Sequence, residues 1–228
     1  MRSIIYVLDR YPLRLLFLHL ALGFIASQNA QFSTLWGWLV VIIGSYYTLH
    51  CRNHFNTAGL FAAYLVGLET VLRMTNAGVP WEFGKYGTIF FLTLGLFMEN
   101  IKQHRTSVFI IIYMISFLPS TFLVPFESLN IWRQSVSFNL SGPLSLFISF
   151  LYFRNRVLSE NELVCMFKTI LLPLLSMSVI LLVRAPSPEN IVFGSEANFQ
   201  MSGYYGPNQI SSALGLVIVI IALSKIIG

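Results

Sequence analysis

The sequence is short of charged residues, and this shortage excludes most classes of soluble protein. Asp, Glu, Lys and Arg make up 10% of the 228 residues, against roughly 25% in an average soluble domain. Hydrophobic residues reach 56%, and the mean hydropathy is +0.72. The net charge of +5 does not indicate nucleic-acid binding, because the basic residues occur singly or in pairs between apolar runs. The composition therefore predicts an integral membrane protein.

Cysteines and known catalytic motifs are also scarce. The two cysteines, Cys51 and Cys165, fall on the side that is predicted below to be cytoplasmic, so we expect no disulfide. The chain has no phosphate-binding loop, dinucleotide fingerprint, nucleophile elbow or zinc protease motif. Function must therefore be inferred from the membrane-spanning pattern and from a small set of polar residues.

Apolar stretches of a length that suits membrane helices recur along the whole chain. A helix needs roughly 17 to 25 residues to cross a hydrocarbon core of about 30 Å, and shorter stretches imply tilt or local thinning. The sequence predicts about eight spans in a single all-α transmembrane domain over residues 1–228. They run over Leu13–Ser27, Leu35–Leu49, Thr57–Leu72, Tyr86–Met98, Val108–Phe126, Val136–Phe153, Val164–Val183 and Gln209–Ile227. The first stretch has a second interpretation as a signal peptide.

The basic residues of the connections predict the orientation. If every stretch crosses, one side holds most of them: Arg2, Arg10, Arg14, Arg52, Lys102, Arg105, Arg154 and Arg156. The positive-inside tendency then makes this side and the amino terminus cytoplasmic. Gly142 and Pro143 interrupt the sixth span. Counting it as a span nevertheless keeps Arg154 and Arg156 on the same side of the membrane as Lys102 and Arg105. Residues 184–207 consequently form an extracytoplasmic loop that leads into the last span.

Histidines are absent from the predicted outer face. His19 lies in the first span, and His50, His54 and His104 lie at cytoplasmic connections. None of them can serve an outward-facing site as a general base or metal ligand. His50 and His54, with Cys51 between them, resemble a metal cluster only in composition. We therefore expect neither a metal nor a cofactor.

The most informative stretch runs from Gly194 to Leu216, where a polar, glycine-rich passage turns into an apolar helix. Gly203 and Gly206 tolerate conformations outside the helix, and Pro207 suits a first helical turn, so a helix is predicted to begin at about Pro207. Asn208 and Gln209 place amide side chains beside the free amides and positive dipole end of that turn. This arrangement predicts a polar site for an anionic ligand at a membrane surface.

Three basic residues of the predicted outer face, Arg73, Lys85 and Arg184, carry charges that suit such a ligand. Glu69 and Arg73 are four residues apart near the end of the third span and can form an ion pair, either as part of a site or to fix one helix against another. Lys85 follows a short aromatic connection that also fits an interfacial belt. Arg184 ends the seventh span, where its guanidinium can bind phosphate or snorkel to lipid headgroups.

The passages FGSEANFQMSGYYGPNQISSALGL and YLVGLETVLRMTNAGVPWEFGKY resemble the amino-terminal half of the bacterial O-antigen ligase and O-antigen polymerase superfamily. In that superfamily a glycine-containing outer loop leads into a Pro-Asn pair that opens a span. Gly203, Gly206, Pro207, Asn208 and Gln209 match this pattern. An acidic residue and an arginine that close a span, then a short loop and Lys-Tyr, are matched by Glu69, Arg73, Lys85 and Tyr86.

The resemblance implies a multi-pass glycosyltransferase in the bacterial inner membrane. Such enzymes move a glycan from undecaprenyl diphosphate to lipid A core or to another glycan chain on the outer face, without a metal. On this basis we expect Arg73 and Arg184 to hold the diphosphate, Lys85 to be a further substrate-binding residue, and Asn208 and Gln209 to fix the loop or bind sugar. The catalytic base in the family is a histidine of a large outer loop nearer the carboxyl terminus.

The chain departs from the family pattern in one respect, because it ends at Gly228 without that large outer loop. We therefore expect an amino-terminal fragment of a glycosyltransferase-C-like fold, with the activity assigned to the full-length protein. Two other functions stay open. One is a transporter or flippase of lipid-linked glycans, which should show related halves of the chain and polar groups near the bilayer midplane. The other is a noncatalytic subunit of a polysaccharide assembly system.

Overall fold

A computed structural model of the protein describes residues 10–99, 108–123, 128–187, 189, 191 and 198–227. Within these residues the regular structure is helical, so the prediction of an all-α protein is confirmed. The eight α-helices there are α1 (Pro12–Gln28), α2 (Ala30–His50), α3 (Thr57–Met74), α4 (Phe83–Met98), α5 (Val108–Phe122), α6 (Leu129–Phe153), α7 (Glu160–Arg184) and α8 (Pro207–Ile227). Predictions that concern Arg2, Lys102, His104, Arg105 and residues 194–197 fall outside the described residues.

Five helical segments are long and apolar enough to cross a membrane, and they mark the protein as a membrane protein. These segments are Ala30–His50, His54–Met74, Leu129–Phe153, Glu160–Arg184 and Pro207–Ile226. Helices α1, α4 and α5 have 17, 16 and 15 residues. At a rise of about 1.5 Å per residue they reach about 22 to 26 Å, less than the hydrocarbon core of about 30 Å. The predicted count of about eight spans therefore stays a prediction.

The bounds of α6 differ most from the predicted stretch. The sequence places the start of this span at Val136, but the helix begins at Leu129, with the Ser128 hydroxyl accepting a hydrogen bond from the Ile131 amide. It also continues through Pro143, which was expected to interrupt it. Packing of α6 along α4 and α5 offsets the lost backbone hydrogen bond. The two added amino-terminal turns carry polar residues of the site described below.

Helix α3 lies at the centre of the bundle. Eleven of its 18 residues are buried, and it contacts α2, α4, α7 and α8. Small residues allow the closest approaches, since a Cβ atom added at Gly67 would lie 2.5 Å from the carbonyl oxygen of Ile170 on α7. Such close packing is a main source of helix association in lipid, where hydrophobic burial gives little driving force. The central position of α3 holds its carboxyl-terminal Arg73 against several neighbouring elements.

The helix ends meet in two polar regions at opposite ends of α3. We call them the Arg184 end and the Arg156 end, after an arginine in each. The Arg184 end combines the carboxyl ends of α1, α3 and α7 with the amino ends of α2, α4 and α8. The Arg156 end combines the connection between α2 and α3 with the carboxyl ends of α4 and α6. The sequence-predicted site residues lie at the Arg184 end.

Candidate functional site at the Arg184 end

Arg184 joins three segments through their backbone carbonyl groups. Its guanidinium donates to the carbonyl oxygen of Met74, to that of Gly203 at 3.4 Å and to that of Ser27 at 3.5 Å. Met74 and Ser27 lie in the last turns of α3 and α1, where carbonyl groups lack helical partners and carry partial negative charge. Arg184 therefore ties the glycine-rich loop to the ends of two helices.

The loop at residues 198–206 depends on Gly203. This residue has φ of +66°, and a Cβ atom added there would lie 2.9 Å from the Met74 side chain. The positive φ favours glycine, and a Cβ atom would also press on the flexible end of the Met74 side chain. The Asn198 side chain orders the preceding turn by accepting hydrogen bonds from the amides of Gln200 at 3.0 Å and Met201 at 3.2 Å. The predicted role of Gly203 in a non-helical loop is confirmed.

Helix α8 begins at Pro207, as predicted. The side chains of Asn208 and Gln209 are exposed, and Gln209 folds back over Gly206, where an added Cβ atom would lie 1.9 Å from its Oε1. The amides of Gln209 and Ile210 both donate to the carbonyl of Gly206, at 3.0 and 3.2 Å. Ile210 thus makes the first ordinary helical hydrogen bond, and the Gln209 amide of the first turn already has a partner.

Arg73 lies among three side chains that belong to different parts of the chain. It forms the predicted ion pair with Glu69, and its guanidinium carbon lies 4.4 Å from the centroid of the Trp81 ring. Burial raises the pKa of the Tyr205 phenol, and the Arg73 guanidinium, which shares a hydrogen bond with that phenol, opposes the rise. Tyr205 belongs to the glycine-rich loop, so both Arg73 and Arg184 contact this loop.

One donor of Arg73 has no partner among the described residues. Its Nε atom is buried and makes no hydrogen bond, although buried donors in native proteins are nearly always paired. A cavity of about 190 Å³, lined by Glu69, Arg73 and Trp81 among others, adjoins this side chain. A water molecule occupies roughly 30 Å³ in the liquid, so the cavity has room for a larger polar group. An anionic oxygen in this cavity would contact the Arg73 side chain, and a small movement of the guanidinium would let the buried Nε donate to it.

Lys85 contacts a carboxylate that the sequence analysis did not assign to the site. Its Nζ lies 2.9 Å from Oε1 of Glu82, and the second oxygen of Glu82 accepts a hydrogen bond from Ser137 on α6 at 3.2 Å. Burial raises the pKa of the Glu82 carboxyl, but hydrogen bonds from Ser141 and Lys85 and the charge of Lys85 outweigh it and hold that pKa below its usual 4.5. Glu82 is therefore an ionised hydrogen-bond acceptor at neutral pH.

Glu82 lies in the wall of a groove of about 1020 Å³ between the start of α4 and the amino-terminal half of α6. Its lining includes Trp81, Tyr86 and several polar residues of α6, among them Arg133. Sequence spacing offered a partial signal for this groove, because Ser137 and Ser141 lie four residues apart on one face of a helix. Nothing in the sequence indicated that this face of α6 turns toward Glu82.

Another polar cluster lies between α1, α2 and α3. The Tyr64 hydroxyl forms hydrogen bonds with Nε2 of His19 at 2.9 Å and with the Trp36 indole at 3.1 Å. The other ring nitrogen of His19 lies 2.9 Å from the carbonyl oxygen of Leu15. Because these polar atoms satisfy one another, the cluster is explained as a buried network that holds three helices together.

The structure thus brings Arg73, Arg184 and the glycine-rich loop together and places Lys85 beside Glu82, which lines the adjoining groove. Within the described ranges, no three His, Cys, Asp or Glu side chains are grouped so that they could hold a metal ion. Comparisons with protein-family models, curated proteins and solved structures find no match for this chain. The resemblance to the O-antigen superfamily therefore rests on the two sequence passages quoted above.

Proposed function

We propose that this protein is a membrane glycosyltransferase of the O-antigen ligase and polymerase type. In this proposal it moves a glycan from undecaprenyl diphosphate to lipid A core or to a growing polysaccharide, on the outer face of the bacterial inner membrane. The observation that supports it most directly is the unpaired, buried Nε donor of Arg73 beside a cavity at the Arg184 end. The glycine-rich loop and the start of α8 adjoin the same region.

The chemistry of the proposed step requires charge stabilisation at one place. An acceptor hydroxyl oxygen attacks the anomeric carbon, the bond from that carbon to the diphosphate oxygen breaks, and the hydroxyl proton passes to a base. Undecaprenyl diphosphate leaves with the bonding electrons. A fixed cation in a poorly solvated site stabilises the negative charge that develops on the leaving group.

The two arginines have different parts in this proposal. Arg73 presents the unpaired donor and supplies the charge that faces the diphosphate. Arg184 already donates to three carbonyl groups, so its part is to position the loop. Glu69 neutralises Arg73 in the described state, and a bound diphosphate would compete with that carboxylate for the guanidinium. Among the predicted site residues, Arg73 is therefore the one for which a direct contact with the lipid-linked glycan is best supported.

Paired substitutions at the chromosomal locus can test this proposal without leaving a buried charge. The Glu69→Gln/Arg73→Gln variant removes both charges, and we expect glycan transfer to fall about a hundredfold, the usual effect of losing one stabilising donor. Glu69→Gln alone retains the cation and should lose less. Arg52→Gln, an exposed arginine of the opposite end, should behave as wild type. Transfer rates are compared at equal protein levels in the membrane.

The same strains distinguish a transferase from a transporter. A failed transferase leaves lipid-linked glycan in the outer leaflet, where enzymes added to intact spheroplasts can reach it. A failed transporter leaves that glycan in the cytoplasmic leaflet instead. Wild-type transfer in the double variant, or accumulation confined to the cytoplasmic leaflet, would rule out the transferase proposal.

A further inference from the structure

The groove between α4 and α6 is a second candidate binding site, distinct from the Arg73 cavity. Its volume of about 1020 Å³ reaches the upper end of the range of roughly 300 to 1,000 Å³ that is usual for small-molecule pockets. It is open along one side, and α6, with 25 residues, is about 37 Å long. The first turns of α6 can therefore extend beyond a hydrocarbon core of about 30 Å. The shape fits an extended polar chain.

The walls of the groove combine exposed aromatic rings with amide side chains. Trp81 is 60% exposed and Tyr86 is 41% exposed, so their rings offer flat apolar faces at the rim. Asn130, Gln134 and Asn139 line the same groove, and each amide provides two donor hydrogens and an acceptor oxygen. Pyranose rings present the complementary surface, with apolar C–H faces and a periphery of hydroxyl groups.

Glu82 adds a fixed acceptor to this set. The Glu82 side chain is 4% exposed and is held by Ser137 and Lys85, so it provides a fixed negative charge in the groove wall that attracts ligand hydroxyl groups. Arg133 is the basic residue that lines the groove in the described chain. One arginine beside one carboxylate does not favour a diphosphate. The lining also includes Leu123, Ile131 and Phe138, and this mixture of apolar surface and hydrogen-bonding groups suits sugar rings better than an acyl chain. The groove chemistry therefore matches an uncharged, polyhydroxylated ligand.

We infer that this groove binds a carbohydrate chain of several sugar units. Pro80 and Trp81 line both the groove and the cavity beside Arg73, so one lipid-linked glycan can place its diphosphate near Arg73 and its sugars along α6. The assignment of the ligand to a lipid-linked glycan rests on the proposed function. Carbohydrate binding itself can be measured without any transfer reaction.

The test uses the full chain in polymer-extracted nanodiscs, which avoid glycoside detergents, on an array of bacterial surface oligosaccharides of four or more sugars. We expect the wild type to bind glycans on this array. Gln134→Ala/Asn139→Ala should weaken that binding about tenfold or more through the loss of two hydrogen-bonding amides. The matched control is Gln31→Ala, an exposed amide of α2 outside the groove, which should bind as wild type. Thermal unfolding of all variants checks that each remains folded.

Two results would overturn the inference: a wild type that binds no oligosaccharide on the array, or a double variant that binds as well as Gln31→Ala. The failure of the proposed function appears elsewhere, in unchanged transfer by the Glu69→Gln/Arg73→Gln strain. That strain has an unaltered set of groove amides, so the two outcomes are separable.

Discussion

The ion pair between Arg156 and Glu99 should contribute strongly to stability, because both side chains are largely buried at the Arg156 end. The two guanidinium nitrogens lie 2.8 and 2.6 Å from the two carboxylate oxygens of Glu99. The side chains are 9% and 19% exposed. Asn53 donates a further hydrogen bond to Glu99 at 2.7 Å, and the Arg156 guanidinium lies 3.9 Å from the centroid of the Tyr152 ring.

Removing both charges of this pair should cost less than the sum of the two single removals. Glu99→Gln keeps the side-chain shape but leaves Arg156 buried without its counter-charge, which costs about 3 kcal/mol of unfolding free energy, at the lower end of the range for buried pairs because Glu99 keeps some solvent contact. Arg156→Gln should cost a similar amount. The double variant leaves no unpaired charge, so its loss should be smaller than the sum of the two by about 2 kcal/mol.

A double-mutant cycle on the purified protein measures this coupling. A loss of about 3 kcal/mol lowers the melting temperature of a chain of this size by about 6 to 12 °C, which intrinsic fluorescence detects readily. Arg52→Gln is the control, because Arg52 is an exposed arginine in the same region and its replacement should shift the midpoint little. Strictly additive single losses, or a Glu99→Gln midpoint equal to that of Arg52→Gln, would show that the pair does not act as a buried ion pair.

Three further predictions concern the helix packing and the Arg184 end. Gly67→Ala should lower the free energy of unfolding by about 1 to 3 kcal/mol, because the added methyl group meets the α7 backbone. Gly215→Ala is the control: an added Cβ atom there has no neighbour within 4 Å, so the melting temperature should stay unchanged or rise slightly. The pKa of Glu82 is lower in the folded protein than its usual 4.5, so ionised Glu82 stabilises the fold above pH 4.5 and this contribution is lost as the pH falls through the folded-state pKa. Melting temperatures of Glu82→Gln and wild type should therefore differ at pH 7 and converge on acidification. Arg184→Lys should speed proteolysis within residues 198–206, because an ammonium cannot replace the guanidinium at three carbonyl groups; unchanged cleavage would contradict this role.

Hydropathy was sufficient to predict the helices, because each apolar stretch must satisfy its backbone hydrogen bonds internally in lipid. Seven of the eight predicted stretches lie within a described helix, and the fifth, Val108–Phe126, coincides with α5 as far as Phe122. The start of α8 at Pro207 was predictable from local chemistry, since glycine and proline restrict where a helix can begin. The start of α6 was missed because Arg133 and Gln134 lower the local hydropathy without preventing a helix.

The side-chain partners of the site were not predictable in the same way. Glu69 and Arg73 are neighbours on one helix, so their spacing indicated the ion pair. Glu82 and Ser137 are separated by 55 residues, and hydropathy does not specify which helices lie next to each other. The same limit applies to Arg156 and Glu99, whose separation is 57 residues. Contacts between helices follow from their packing, which a single sequence does not encode in any local pattern.

Substitutions of Arg184 and Arg73 need different interpretations, because the two guanidinium groups have different partners. An arginine at a helix end was predicted either to bind phosphate or to snorkel, but its guanidinium instead binds carbonyl groups of α1, α3 and the glycine-rich loop. Loss of activity in an Arg184→Ala protein would therefore follow from a displaced loop even if the residue never contacts a substrate. Arg73 has a donor without a partner, so its substitution addresses anion binding more directly. The charge of Arg73 and the loop order that Arg184 maintains are separate requirements of the same proposed site.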